Sequence, residues 1–311
     1  MEDWTYGLII VVCGIAWVHI FVDYRRKLMR VMPGVEQVAA RKREFSTQIS
    51  EAQNNSDHIV HSIGDLQHEI ESLDEKRAEM QKKLNEAEMI LIPPGKFDMG
   101  SNIAGKEDEN PEHKITLKGY YIDKFEVTNM QYKDFIDVTD RRPPIHWRSR
   151  TFPNPRTGNH PVVNITWNDA EAYAAWIGKR LPTEAEWERA ARGDHGNEYP
   201  WGKSCSPDFT NFATPDGSTS PIDKYPRGVS EHKVWDMCGN VGEWVQDWYD
   251  AKYYTRTPEA NPMGPENGHQ RIYRGGGYHC LRMDIRCAAR HFTLPTSSQM
   301  YIGFRCAMDA D

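Results

Sequence analysis

The stretch "HPVVNITWNDAEAYAAWIGKRLPTEAEWERAARG", residues 160–193, decides how the chain folds. It carries two helix signatures in succession. In the first, Asn168 and Asp169 stand before an alanine-rich amphipathic run with Trp176 and Ile177 on its apolar side, which predicts a capped helix. In the second, Thr183 is followed three residues later by Glu186, a reciprocal capping box, and Gly193 closes the helix. From residue 89 onward little else is periodic. Short strand-like runs alternate with long connections rich in Gly, Pro and Asn and dotted with Trp and Tyr. Regular elements alone would bury too little surface there, so aromatic packing and hydrogen-bonded polar loops must hold the domain together.

Upstream the character changes. Residues 4–22 carry no formally charged side chain, a run just long enough to cross the roughly 30 Å hydrocarbon layer as a helix. Its amino end is acidic, with Glu2 and Asp3, while Arg25, Arg26, Lys27 and Arg30 follow it. That polarity is the reverse of a signal peptide and predicts an uncleaved anchor over residues 1–30. The positive-inside rule then leaves the amino end outside and the large domain cytoplasmic, in an inner or plasma membrane. His19 within the span is open to two readings, a cofactor ligand or a helix-contact histidine. Residues 31–88 form a heptad pattern, with Ile63 and Ile70 at a and Leu66 and Leu73 at d, which predicts a coiled-coil stalk. The stalk pairs either with itself or with another subunit of a membrane complex. The third segment is the domain at 89–311.

The 311-residue chain has a net charge of -7 and no basic stripe, which sets nucleic acid aside. Its six cysteines, Cys13, Cys205, Cys238, Cys280, Cys287 and Cys306, follow no zinc-ligand spacing. An odd five in the soluble part argues for a reducing compartment.

Seven segments carry a family resemblance: "IPPGKFDMGS", "YYIDKFEVTNMQYKDFI", the 160–193 stretch, "YPWG", "DMCGNVGEWVQDWYD", "YRGGGYHC" and "IGFRCA". Their order and spacing resemble the formylglycine-generating enzyme, or sulfatase-modifying factor, superfamily over roughly residues 89–309. The resemblance implies a C-type-lectin-like α+β fold with little regular structure. Superfamily members include a copper-dependent cysteine oxidase, iron-dependent sulfoxide synthases, non-catalytic paralogues and ligand-binding proteins, so fold is better determined than function.

The oxidase holds Cu(I) between two thiolates, as a soft ion demands. Cys280 matches the first. The span to Cys287, "CLRMDIRC", is shorter than the oxidase's, and the missing piece carries the second thiolate. Gly277 replaces the serine before the catalytic cysteine, and Gly242 replaces the tryptophan of the "GN-x-W-E-W" motif. Copper is therefore not expected, and catalysis through Cys280 alone remains the rival reading. The resemblance also places the bridge partners of Cys287 and Cys306 in the two helices, where this chain has Ala174 and Ala191, so both cysteines are expected as buried free thiols. The iron-binding helical domain of the sulfoxide synthases has no counterpart here.

"WDMCGNVGEW" matches the family's calcium loop, which implies ligation by Asp236, the carbonyls of Gly239 and Val241, and Glu243. The alternative is that these carboxylates only brace loop amides. A weaker second site would use Asn211, the carbonyl of Phe212, and Asp216. The face around the oxidase's cleft becomes Tyr278, His279, Leu281, Met283, Asp284, His291, Phe292, Met300 and Tyr301. Aromatics and methionines on rigid loops suit protein binding, although burial under the loops is equally open. The sequence thus reads as a membrane-anchored, non-catalytic binding or structural subunit of a larger complex. The alternatives are a cysteine oxidase and a lectin-fold ligand-binding receptor.

Overall fold

The computed structural model describes residues 72, 89–102, 107–147, 157–214 and 217–310. The anchor at 1–30 lies outside the described residues, as does the stalk at 31–88 apart from helical Ser72. Among the described residues no helix is long and apolar enough to cross a membrane.

Among the described residues of the C-terminal unit there are nine short strands, three α-helices and two 3-10 turns. Strand β1 (Met89–Ile92) pairs antiparallel with β4 (Tyr120–Asp123), and β4 with the last strand β9 (Ala307–Asp309). Strands β2 (Gly95–Met99) and β3 (His113–Leu117) form a separate antiparallel pair. The third sheet runs β7 (Arg290–Thr293), β6 (Arg271–Arg274), β5 (Gly242–Trp248) and β8 (Ile302–Phe304), with β5 and β8 parallel. The first and last strands thus share one sheet, so the two ends of the domain close on each other.

Helix α1 (Asn129–Thr139) starts at Thr128, whose hydroxyl accepts from the Gln131 amide while the Gln131 side chain accepts from the Thr128 amide. Helix α2 (Trp167–Trp176) begins earlier than Asn168 and Asp169 suggest. Its cap is Thr166, whose hydroxyl donates to Asp169 Oδ2 at 2.6 Å and accepts from the Asp169 amide. Asp169 is the third residue of a capping box, a role that holds it inside the first turn. Tyr132 and Phe135 of α1, Tyr173 of α2 and Phe304 of β8 pack as one aromatic cluster, with ring centroids 5.3–6.3 Å apart. Four of these pairs are edge-to-face and Tyr132 stacks on Tyr173, both arrangements the ring quadrupole favours.

Helix α3 (Glu184–Arg192) has the expected Thr183–Glu186 box and the Gly193 end, at φ 68°. Every residue of α3 is buried, although five of the nine are charged. The charges are neutralised partly by neighbours in and just before the helix and partly by arginines from distant strands. Glu188 accepts from Arg274 at 2.6 Å and from Arg192 at 2.8 Å, and Glu184 accepts from Arg290 at 2.8 Å. Glu186 accepts two bonds of 2.7 Å from Arg180. A helix so polar is stable in the core only because each ion has a counter-ion and further hydrogen bonds. Trp187, fully buried, is its apolar centre.

Candidate functional site

Strands β5 and β6 run through the third sheet, and the segments that follow β6 and β7 build the face beside them. Gly275 and Gly276, both at positive φ, turn the chain out of β6; a Cβ on Gly275 would stand 3.0 Å from the Met237 carbonyl. The next residues are pinned from both sides. The Tyr278 amide donates to the Asn240 carbonyl, and the amides of Ala213 and Thr214 donate to the carbonyls of Cys280 and Tyr278, all at 2.9 Å.

The cleft floor is filled by rings. A Cβ on Gly242 would lie 2.6 Å from Tyr273 Cδ2, so the Tyr273 ring occupies the space a side chain would need. A Cβ on Gly277 would lie 2.9 Å from Tyr301 Cβ and 3.2 Å from His279 Nδ1. The His279 ring rests 4.0 Å from that of Tyr301, and Tyr273 stacks on His291 at 5.1 Å. At both positions where the family pattern is broken, a neighbouring aromatic residue lies against the glycine.

Cys280 is half-buried beside this infill. Its Sγ accepts from the Gly277 amide at 3.4 Å and lies 3.7 Å from His279 Nε2. Burial lowers the pKa of His279, which favours the neutral imidazole at pH 7 and deprives the thiol of a cationic neighbour. Among the expected face residues, Leu281 is 65% and Met300 60% exposed, with Met283 and Phe292 also at the surface. His279, Asp284, His291 and Tyr301 are half-buried. Tyr278 is 5% exposed and belongs to the floor, because its backbone is tied down by Asn240 and Thr214. Phe292 is held flat on Tyr249, and His291 Nε2 lies 2.7 Å from the Asp284 carbonyl.

The expected calcium loop lies behind the cleft. Gly239 is required there: at φ 80°, a Cβ would meet Thr210 Oγ1 at 2.4 Å. Both oxygens of Glu243 are engaged, Oε1 by Arg305 at 2.7 Å and Oε2 by Arg305 at 2.6 Å and Trp187 at 2.8 Å. Asp236 is different. Its Oδ1 is buried without a partner, and so is Oε2 of the neighbouring Glu126. Asn240 Nδ2 bridges the two carboxyls, at 3.0 Å from Glu126 Oε1 and 3.4 Å from Asp236 Oδ2. Burial and the neighbouring carboxylates push Asp236 up to about 8 and raise Glu126 too, each partly offset by Arg305. Each acid thus keeps one buried oxygen without a partner, a demand a cation would meet, although among the described residues no three His, Cys, Asp or Glu side chains gather as a metal site. Glu126 was not singled out from sequence, although it stands in the "FEVTN" segment; only the fold brings it to this loop. At the weaker site, Asn211 donates to the Ser218 carbonyl and accepts from Thr214, and its own carbonyl accepts from the Asn240 amide at 2.8 Å. Phe212 packs on the core, and Asp216 lies outside the described residues. As expected, Cys287 and Cys306 are buried and unbridged.

A loop-dominated α+β domain with this cleft defines a formylglycine-generating-enzyme-like fold. The chain belongs to the sulfatase-modifying factor enzyme 1-like family, whose model matches residues 74–310. It is 39% identical over 252 residues to the serine/threonine-protein kinase Pkn1 of Chlamydia trachomatis serovar L2, covering 75% of this chain and 40% of that protein. The chain therefore spans about two fifths of that relative's length. It is 36% identical to the formylglycine-generating enzyme of Streptomyces coelicolor, over 71% of this chain and 89% of the enzyme. PvdO from Pseudomonas aeruginosa superposes with a TM-score of 0.61 at 29% identity, over 71% of this chain and 94% of PvdO.

Proposed function

We propose that this chain is a membrane-anchored, non-catalytic binding or structural subunit of a larger membrane protein complex, with the sulfatase-modifying-factor-like domain as its interaction module. One observation carries the reading: Tyr273, Tyr301 and His279 stand in the space at Gly242 and Gly277, so that Cys280 lies half-buried against a packed floor. The second thiolate of the oxidase has no counterpart in the short stretch between Cys280 and Cys287, so the packed floor stands beside a site with one of its two copper ligands. Leu281, Met283, Phe292 and Met300 form the exposed apolar rim around it, a composition that suits a protein partner. In this reading residues 1–30 hold the protein in the inner or plasma membrane with the domain on the cytoplasmic side. Residues 31–88 space it from the bilayer and pair with themselves or with another subunit.

Calcium belongs to the same proposal. Asp236 and Glu126, with the carbonyls of Gly239 and Val241, would hold it; Glu243, expected as a ligand from the sequence, is taken up by Arg305 and Trp187 instead. The ion's part would be structural, fixing the loop whose Asn240 anchors Tyr278.

The rival oxidase reading is favoured by the 3.7 Å approach of His279 Nε2 to Cys280 Sγ. The test is turnover: full-length protein in mild detergent, incubated with Cu(I), oxygen and a cysteine peptide, is expected to leave the cysteine unchanged by mass spectrometry. Formylglycine formation that is lost in Cys280→Ala would overturn the proposal.

A further inference from the structure

Cys238 and Cys287 come from segments 49 residues apart, yet their sulfurs lie 3.9 Å from each other. Both side chains are fully buried in the same core cluster, beside Trp187 and Ile285. Each is also held from the backbone. The Cys238 carbonyl accepts from the Thr210 hydroxyl, the Cys287 amide donates to the Glu198 carbonyl at 2.9 Å, and the Cys287 carbonyl accepts from Arg274. A disulfide bond is about 2.05 Å long, so closing the pair requires each sulfur to move by about 1 Å. The family bridges expected at Ala174 and Ala191 are absent, so Cys287 has no other covalent partner in the fold.

We propose that Cys238 and Cys287 form a reversible disulfide when the domain, reduced in its own compartment, meets an oxidant, tying the loop that carries Asp236 and Gly239 to the far end of the cleft segment 278–287. The oxidant is a small-molecule disulfide of the oxidised-glutathione class. One cysteine thiolate attacks it, forming a mixed disulfide and releasing one reduced small-molecule thiol; the second cysteine thiolate then attacks the first cysteine's sulfur, forming the Cys238–Cys287 bond and expelling the other half of the oxidant as a second reduced thiol. The two protein sulfurs lose two electrons to the oxidant, and the two protons end on the released thiols. In the closed fold the Cys238 thiol is pushed up by burial and by Cys287, so thiolate formation is suppressed. The bond therefore forms during folding or local opening. Cys205, half-buried on the edge of the same cluster, is the competing thiol.

The test uses the full chain in mild detergent. It is incubated with oxidised glutathione under partially denaturing conditions, returned to buffer, then denatured and alkylated with N-ethylmaleimide. Four of the six cysteines are expected to react, and digestion should yield a linked pair of peptides containing Cys238 and Cys287. The bridged form is expected to melt several degrees above the reduced form, a difference that dithiothreitol abolishes. Cys287→Ala should lose both the linkage and the shift; wild type alone still decides the question if that variant misfolds. Alkylation of all six cysteines, persistent glutathione adducts without an internal link, or a link through Cys205 each overturns the proposal.

Discussion

Replacing Gly242 with alanine tests the filled cleft directly. Alanine normally stabilises a strand position relative to glycine by about 0.5–1 kcal/mol, because less backbone entropy is lost on folding. Gly242 is not at positive φ, so nothing in the backbone opposes that gain. The opposing effect is steric. The new Cβ would sit 2.6 Å from Cδ2 and 3.0 Å from Cε2 of Tyr273, so the ring must give way by about 1 Å. It has little room, with Trp244 on one side at 5.8 Å and the His291 ring stacked at 5.1 Å. Overpacking of this kind costs about 1–3 kcal/mol, so Gly242→Ala should destabilise by about 0.5–2 kcal/mol net. In a Tyr273→Ala background the obstacle is gone and the same substitution should stabilise by about 0.5–1 kcal/mol, a coupling of about 1–3 kcal/mol. Urea titrations of the four proteins, compared by midpoint at constant slope, measure it. If Gly242→Ala stabilises the wild-type background, Tyr273 does not occupy the cleft and the argument for a closed floor fails.

Arg274→Met leaves Glu184 and Glu188 buried without one shared counter-ion, and should cost about 3–5 kcal/mol, seen as a fall in melting temperature of about 10 °C. Asp247 is pushed up to about 8, by burial first and then by Glu184. Its carboxyl binds a proton in the folded state at pH values where the unfolded chain has lost it, so this group makes stability fall as pH rises from about 4 to about 8. Asp247→Asn should flatten that part of the stability profile; an unchanged slope would show that Asp247 is ionised in the fold. Calcium should raise the melting temperature and a chelator should lower it, with the shift abolished in Asp236→Asn. Equal melting in both conditions would mean that no ion is held there. Leu281→Glu combined with Met300→Glu should release the partner on co-purification from native membranes while leaving the melting temperature within about 1 °C. Retention of a stoichiometric partner would place the interface elsewhere.

How much was legible in the sequence varied with the range of the interaction responsible. Helix α3 could be read from Thr183, Glu186 and Gly193, and the departures at Gly242 and Gly277 showed which part of the family pocket had changed. Helix α2 was legible as a helix but its start falls earlier, since Thr166 and Asn168 are both competent caps and the reciprocal bonds of Thr166 with Asp169 select the first. The infill of the cleft was not legible: Tyr273 is 31 residues from Gly242, and nothing local says which way its ring points.

Local chemistry therefore determined the elements, because capping, turn residues and a thiol's presence or loss act within a few residues of each other. The tertiary structure alone decided how the charges are neutralised and which thiols meet. Helix α3, read in isolation, is a polar surface helix; it is buried because Arg274 and Arg290 arrive from strands about a hundred residues later to balance Glu184 and Glu188. Glu126 reaches Asp236, and Cys238 reaches Cys287, by the same means: separations along the chain that carry no sequence signal become distances of a few ångströms only when the sheets close.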